Sequence, residues 1–231
     1  KQVIVSNVSD FPCRTPIVVL WSTLTNPYGR LSKTISMHSE QNQPNPDGTS
    51  DAGLYVHIPF CHRRCPYCDF TIAVQRRPPH MEYARRLAEE LRDRAELVSA
   101  DKFRTVYFGG GTPSMWSGEA LRYFMGELGQ AASQTREFTV EFNPECADPS
   151  TIDRWLDVGA NRVSLGVQSA DGETLKWLGR RHDLRTVDDA LRHLSQSGVE
   201  HVSVDVIYGV PTRGVDRLES ELKELLKWDV I

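Results

Sequence analysis

Cys61, Cys65 and Cys68 fall within eight consecutive positions, directly after an apolar run over 54–60 that ends on Pro59 and Phe60. Clustered thiols are soft donors, and three chemistries suit them: a disulfide, a zinc site or an iron–sulfur cluster. A disulfide leaves one of the three over, and the rest of the chain does not look secreted. Structural zinc wants four ligands in two separated pairs, and no second Cys or His pair follows at that spacing. His57 or His62 would have to complete a Cys3His shell. A cubane [4Fe–4S] cluster takes four thiolates. Held by three, it keeps one iron without a protein ligand, and an open iron is where chemistry can happen.

The residues around the thiols extend the pattern. Tyr55-Val56-His57-Ile58-Pro59-Phe60-Cys61 leads into Cys65-Pro66-Tyr67-Cys68-Asp69-Phe70. This string resembles the radical S-adenosylmethionine (SAM) superfamily. Within it, the string is similar to the group containing oxygen-independent coproporphyrinogen III oxidase (HemN) and the heme chaperone HemW. The resemblance implies a [4Fe–4S] cluster on Cys61, Cys65 and Cys68, with SAM chelated to the open iron. One electron from the cluster would cleave the sulfonium and release a 5′-deoxyadenosyl radical, the protein supplying position and dryness.

Such a site needs a scaffold, and the chain downstream of residue 51 offers one. β-rich runs at 54–60, 105–109, 138–143, 162–168 and 202–208 alternate with stretches whose apolar residues recur at helical spacing. Ala84, Leu87, Leu91 and Ala95 form one stripe; Leu121, Phe124, Met125 and Leu128 form another. Asp148-Pro149 predicts an N-cap and first turn, with Ile152, Trp155 and Leu156 inward. Thr186 is expected to cap a helix over 187–197 that buries Val187, Leu191 and Leu194 and stops at Gly198. Leu218, Leu222 and Leu225 make the last stripe. Alternation of this kind predicts βαβ units and a parallel sheet.

Strand parity sharpens the expectation. Phe138, Val140 and Phe142 oppose Thr139, Glu141 and Asn143; Val163, Leu165 and Val167 oppose Ser164, Gly166 and Gln168; Val202, Val204 and Val206 oppose Ser203 and Asp205. One face is aliphatic and suits covering helices. The other is small or polar, unlike the branched filling of a closed eight-stranded barrel. The pattern points to a barrel with a cavity inside, the alternative being an open doubly wound sheet. The resemblance implies an α/β fold of the partial (β/α)6, TIM-like type, with the chain reaching about its sixth strand near Trp228.

The glycine-rich stretch 107–113, Tyr-Phe-Gly-Gly-Gly-Thr-Pro, lets a ligand approach backbone but lacks the Lys of a phosphate loop. The resemblance makes Gly110, Gly111 and Thr112 the receiver of SAM's amino group. It makes Glu141 the partner of the ribose hydroxyls, against the alternative of a salt bridge to Arg162 or Arg180. Tyr55 and Tyr67 match positions that contact SAM. Gln168, Arg180 and Asp205 match positions around a second SAM, and Arg180 could also pair with a carboxylate of SAM or of a porphyrin propionate. Cys146 reads as a packing residue rather than a fourth ligand.

Residues 1–50 read as a poorly structured extension, and 51–231 as the core domain, incomplete at its C-terminus. The apolar stretch within 17–24 is far shorter than the ~20 residues of a membrane span and reads as a stray strand. The polar run 32–51 reads as linker, and Cys13 as a thiol without a role. A net charge of −4 argues against a nucleic-acid partner. Five cysteines, three of them clustered, fit a reducing compartment, the cytoplasm.

Phe70 decides between the two branches of the resemblance. The oxidases carry a further cysteine two positions after the third ligand; here Cys68-Asp69-Phe70 has none. Leu178-Gly179-Arg180-Arg181-His182 is also more similar to the chaperone branch. The resemblance thus implies a heme carrier working with an electron donor and heme-accepting respiratory proteins. The alternatives are coproporphyrinogen III decarboxylation and, from another class, a zinc-stabilised interaction module.

Overall fold

The computed structural model describes Val18–Ser22 and residues 52–95, 103–132, 135–210 and 215–228. In chain order these form β1 (Val18–Ser22), β2 (Ala52–Ile58), β3 (Phe60–Cys61), β4 (Ala73–Val74), α1 (His80–Ala95), β5 (Thr105–Gly110), α2 (Gly118–Leu128), β6 (Glu137–Phe142), α3 (Pro149–Leu156), β7 (Arg162–Gln168), α4 (Gly172–Trp177), α5 (Leu184–Ser197), β8 (His201–Val206) and α6 (Val215–Leu225). The expectations for Cys13, for the linker 32–51 and for a further strand after Trp228 lie outside the described residues, as do the side chains of Ala95, Leu218 and Leu222.

Five strands pair in parallel in the order β2-β5-β6-β7-β8, and β1 runs antiparallel along the outer edge of β2. Spatial order equals chain order throughout. With right-handed crossovers that sequence never reverses, so every helix falls on the same side of the sheet. A doubly wound sheet must reverse at a switch point and carry helices on both sides. The fold is therefore the partial, TIM-like α/β barrel and not the doubly wound alternative.

Parity comes out as the sequence predicts. Leu54, Val56, Ile58, Val106, Phe108, Phe138, Val140, Phe142, Val163, Leu165 and Val167 are all buried in one core beneath the helices. Phe108 centres it, stacked on Phe138 at 5.3 Å and edge-on to Trp155 at 5.1 Å. Aromatic pairs at these separations add about 0.5–1.5 kcal/mol beyond their burial. The opposite face carries Tyr55, His57, Tyr107, Thr139, Glu141, Ser164 and Asp205.

Local chemistry sets the ends of the elements. Pro59 cannot donate to the ladder, so the expected strand 54–60 stops at Ile58, and Phe60–Cys61 starts a separate two-residue pairing with Ala73–Val74. Asp148 caps α3 as expected, accepting from Thr151 N at 3.1 Å ahead of Pro149. The start of α5 differs from expectation: Asp183, not Thr186, is the N-cap and accepts from Thr186 N at 2.8 Å. A carboxylate at the positive end of a helix gains from the dipole as well as the hydrogen bond, so the helix starts at Leu184, three residues earlier than expected. The last strand ends at Val206, two residues sooner than its apolar pattern suggested. Among the described residues no helix is long and apolar enough to cross a membrane.

Candidate functional site

The three thiols sit on a loop closed at its neck. Ala73 N donates to Pro59 O at 2.7 Å and Gln75 N to Cys61 O at 3.2 Å, pinning the two ends of the loop to each other. Inside it, Cys68 N donates to Cys65 O at 3.1 Å and Arg64 Nη1 to Cys68 O at 3.2 Å. Gly179, at φ +68, rests on the loop so closely that a Cβ there would lie 2.8 Å from Pro66 Cδ. All three thiols are free and half-buried. Burial pushes the Cys61 thiol up, with further contributions from the neighbouring Cys68 and Cys65, against a hydrogen bond from Thr112 and the charge of Arg180.

Beside the loop, the polar face of the sheet forms a continuous network. Glu141 accepts from the Tyr107 hydroxyl at 2.8 Å and from Gly110 N at 3.0 Å. Burial raises its carboxyl to about 7 in spite of both donors, and Asp205 adds to the rise. Burial first and the Glu141 charge second hold the Tyr55 and Tyr107 phenols well above their ordinary value. Tyr55 and Tyr107 stack at 5.8 Å. Gly110, at φ +119, is the residue this network cannot replace: a Cβ would stand 2.6 Å from the His57 ring. Arg162 and Arg180 are engaged away from Glu141. Arg162 pairs with Glu137 at 3.2 Å, and Arg180 Nη2 donates to Asn143 Oδ1 at 2.6 Å and Gly166 O at 3.0 Å.

A bulge explains why Arg180 is there. The β7–β8 register slips between Leu165 and Gln168, and Gln168 takes φ +68, the only non-glycine residue of the described set with positive φ. A bulge leaves ladder groups unpaired. Arg180 takes the Gly166 carbonyl and the buried His182 Nε2 bonds the Val167 carbonyl at 2.9 Å, so the segment after α4 is fastened to the slipped strand. Left-handed backbone at a glutamine costs about 1–3 kcal/mol and gathers at functional sites. The Gln168 amide consequently lies over Gly166, close enough that a Cβ there would meet Nε2 at 2.8 Å.

The structure thus brings together Cys61, Thr112 and Arg180, with Tyr67 next to them: burial raises the Tyr67 phenol to about 12 against the pull of the Arg180 cation. It also brings together Tyr55, Gly110 and Glu141, and Gly111 N donates to Ile58 O at 2.8 Å between the two groups. Asp205 stands further along the face, accepting from Ser164 Oγ at 2.8 Å; burial raises it although water reaches it through the open side. Cys146 belongs to neither group. It is half-buried, and burial with the nearby Glu145 lifts its thiol to about 11. Sequence reasoning missed Tyr107, Asn143 and His182. Tyr107 and Asn143 share the parity of the polar face and could have been found that way; nothing local marks His182.

These residues suit an iron–sulfur cluster better than a single zinc ion. Among the described residues no three His, Cys, Asp or Glu side chains converge closely enough to hold one metal ion, which Zn–S bonds of ~2.3 Å would require. Both nitrogens of His57 are occupied, by Tyr55 OH at 3.1 Å and Thr71 O at 2.8 Å, so it is no fourth zinc ligand. A cubane spreads its thiolates over separate irons. Arg180 Nε is buried without a hydrogen-bond partner, a donor suited to an anionic group.

An open parallel barrel with three free thiols on the loop after its first parallel strand has the form of a radical SAM protein. Residues 55–225 match the Radical SAM superfamily, and the chain belongs to that family. Among curated proteins it is 34% identical over 175 residues to the heme chaperone HemW of Lactococcus lactis, covering 75% of this chain and 45% of the relative. It is also 34% identical over 182 residues to the mitochondrial radical S-adenosyl methionine domain-containing protein 1 of Bos taurus, covering 78% of this chain and 41% of that one. Among solved structures, the coproporphyrinogen III oxidase HemN of Escherichia coli superposes with a TM-score of 0.66 at 27% identity, over 76% of this chain and 41% of its own. The chain spans less than half the length of each. The family implies SAM and a [4Fe–4S] cluster.

Proposed function

We propose that the chain is the SAM- and cluster-binding part of a HemW-type heme chaperone working in a reducing, cytoplasmic compartment. The observation that carries this is Cys68-Asp69-Phe70: the ligand trio is complete, while the position of the oxidases' extra cysteine holds a phenylalanine, 48% exposed. Its similarity to HemW proteins supports the same branch. Cys61, Cys65 and Cys68 would hold the cluster. Gly110, Gly111 and Thr112 would receive the amino group of SAM and Glu141 its ribose, with Tyr55 and Tyr67 against it. Arg180 would take a carboxylate, and Gln168 and Asp205 would line the space for a second SAM. Bound there, the cluster and SAM would supply one-electron chemistry at a sulfonium.

The chain's own residues would do the rest. Glu141 holds two donors in fixed places, which keeps Tyr107 and Gly110 together on the polar face of the sheet. The helix-covered core keeps water from the outer side of the sheet. Partners on this reading are heme or another porphyrin, an electron-donor protein and the acceptors of heme. The test is anaerobic reconstitution with iron and sulfide, followed by heme titration into a version reaching the relatives' full length. A brown protein whose Soret band shifts on binding is expected. Turnover of coproporphyrinogen III with SAM and a reductant would overturn the chaperone reading in favour of the oxidase. A colourless protein holding one zinc ion would overturn both.

A further inference from the structure

Beside the thiols a chain of hydrogen bonds starts from a group that can only donate. A guanidinium has donors only, so Arg180 Nη2 donates to Asn143 Oδ1 at 2.6 Å. That orients the Asn143 amide, oxygen toward Arg180 and nitrogen toward Thr112, where Nδ2 donates to Thr112 Oγ1 at 3.2 Å. The Thr112 oxygen is then an acceptor, and once Cys61 is a thiolate, which can only accept, the single Thr112 proton is left for its Sγ, 3.6 Å away. Thr112 is only 4% exposed, so bulk water does not compete for that proton. Arg180 is itself fixed by the Gly166 carbonyl, and the Gln168 amide crowds the same glycine.

We infer that Asn143 is a positioning residue: held by Arg180, it turns the Thr112 hydroxyl so that it donates to the sulfur of Cys61. This rests on the reading of Cys61 as a cluster ligand. Hydrogen bonds to ligand sulfurs are one of the means by which a protein sets the potential of an iron–sulfur cluster. Donation to the thiolate stabilises the more negative, reduced state, so the relay raises the midpoint potential and eases electron uptake. Arg180 Nε is buried without a partner while Nη2 serves the relay, so one side chain has a donor for an anionic ligand and a bond to the relay.

The experiment is potentiometric titration of the reconstituted chain, followed by EPR and visible absorbance. It compares wild type with Asn143→Leu, Thr112→Val, Thr112→Ser and the Asn143→Leu/Thr112→Val double variant. All five are expected to carry the cluster. Asn143→Leu and Thr112→Val should lower the midpoint potential, read as several-fold less reduced cluster at one fixed poise. Thr112→Ser should keep the wild-type value, and the double variant should match Thr112→Val, because Asn143 acts through Thr112. Thr112→Val is nearly isosteric, and Asn143→Ser replaces Asn143→Leu if the larger side chain prevents folding. Intact clusters with an unmoved potential in Asn143→Leu or Thr112→Val would overturn the relay. So would a further drop when Asn143→Leu is added to Thr112→Val. Wild type that takes up no cluster would instead sink the ligand reading beneath it.

Discussion

At pH 8 the ligand-free protein must keep a charge on Glu141 that its surroundings resist, and Glu141→Gln removes that charge with little change of shape. The carboxyl moves from an ordinary 4.5 to about 7 on folding, chiefly through burial. Between those values the folded state binds more protons than the unfolded one. The contribution to stability is therefore fully present below pH 4.5 and is lost as pH rises through about 7. At 1.36 kcal/mol per unit the loss is about 3 kcal/mol. Glutamine escapes it, but with its oxygen kept on Gly110 N its NH2 donates to the Tyr107 oxygen and the Tyr107 proton loses its acceptor, which costs about 1 kcal/mol. Glu141→Gln should thus be about 1 kcal/mol less stable than wild type at pH 4.5 and about 2 kcal/mol more stable at pH 8. At roughly 2–4 °C per kcal/mol, the pH 8 gain is about 4–8 °C in Tm. Thermal melts of the apo protein from pH 4.5 to 8.5 would show the two Tm curves crossing. Curves that run parallel across that range would refute the reasoning. After reconstitution the same variant should bind SAM about 10-fold or more weakly, the worth of a charge-assisted hydrogen bond.

Cys65→Ala should abolish the reconstituted cluster while Cys146→Ala leaves its absorbance intact; the reverse outcome would reassign the ligands. Gly110→Ala forces an alanine into φ +119 with its Cβ 2.6 Å from the His57 ring. It should cost about 1–3 kcal/mol in urea denaturation, and a loss below about 0.5 kcal/mol, the scale of an ordinary surface change, would show that the backbone relaxes freely. Trp155→Ala removes a side chain only 1% exposed and packed edge-on to Phe108. A loss of about 3–5 kcal/mol is expected by the same measurement, with cluster content unchanged in the folded fraction.

Much of this architecture was legible because its strands are short and alternate strictly. Phe138 to Asn143 and Arg162 to Gln168 declare two faces residue by residue, and the Asp148-Pro149 pair announces the start of α3. The glycines at 109–111 and the cysteine spacing could be read without any fold. Features that depend on distant segments could not. Nothing in Gly166-Val167-Gln168 signals that β8 slips against it, so the parts played by Arg180 and His182 in satisfying the freed carbonyls stayed hidden. The competition between Asp183 and Thr186 for one helix start turned on the charge of the cap, which pattern alone ranks poorly. The antiparallel pairing of Val18–Ser22 with β2 joins segments some thirty residues apart across a polar run.

The interleaving of the two faces has a consequence for how this protein can vary. Leu54, Val56 and Ile58 of β2, Val106 and Phe108 of β5, Phe138, Val140 and Phe142 of β6, and Val163, Leu165 and Val167 of β7 answer to the helices; the residues that alternate with them answer to whatever enters the barrel. Substitutions can therefore drift toward a new guest along one set while the other keeps the protein folded. A single inserted or deleted residue inside any of these strands would exchange the sets wholesale, so length changes are confined to the connections and recognition must evolve by point replacement.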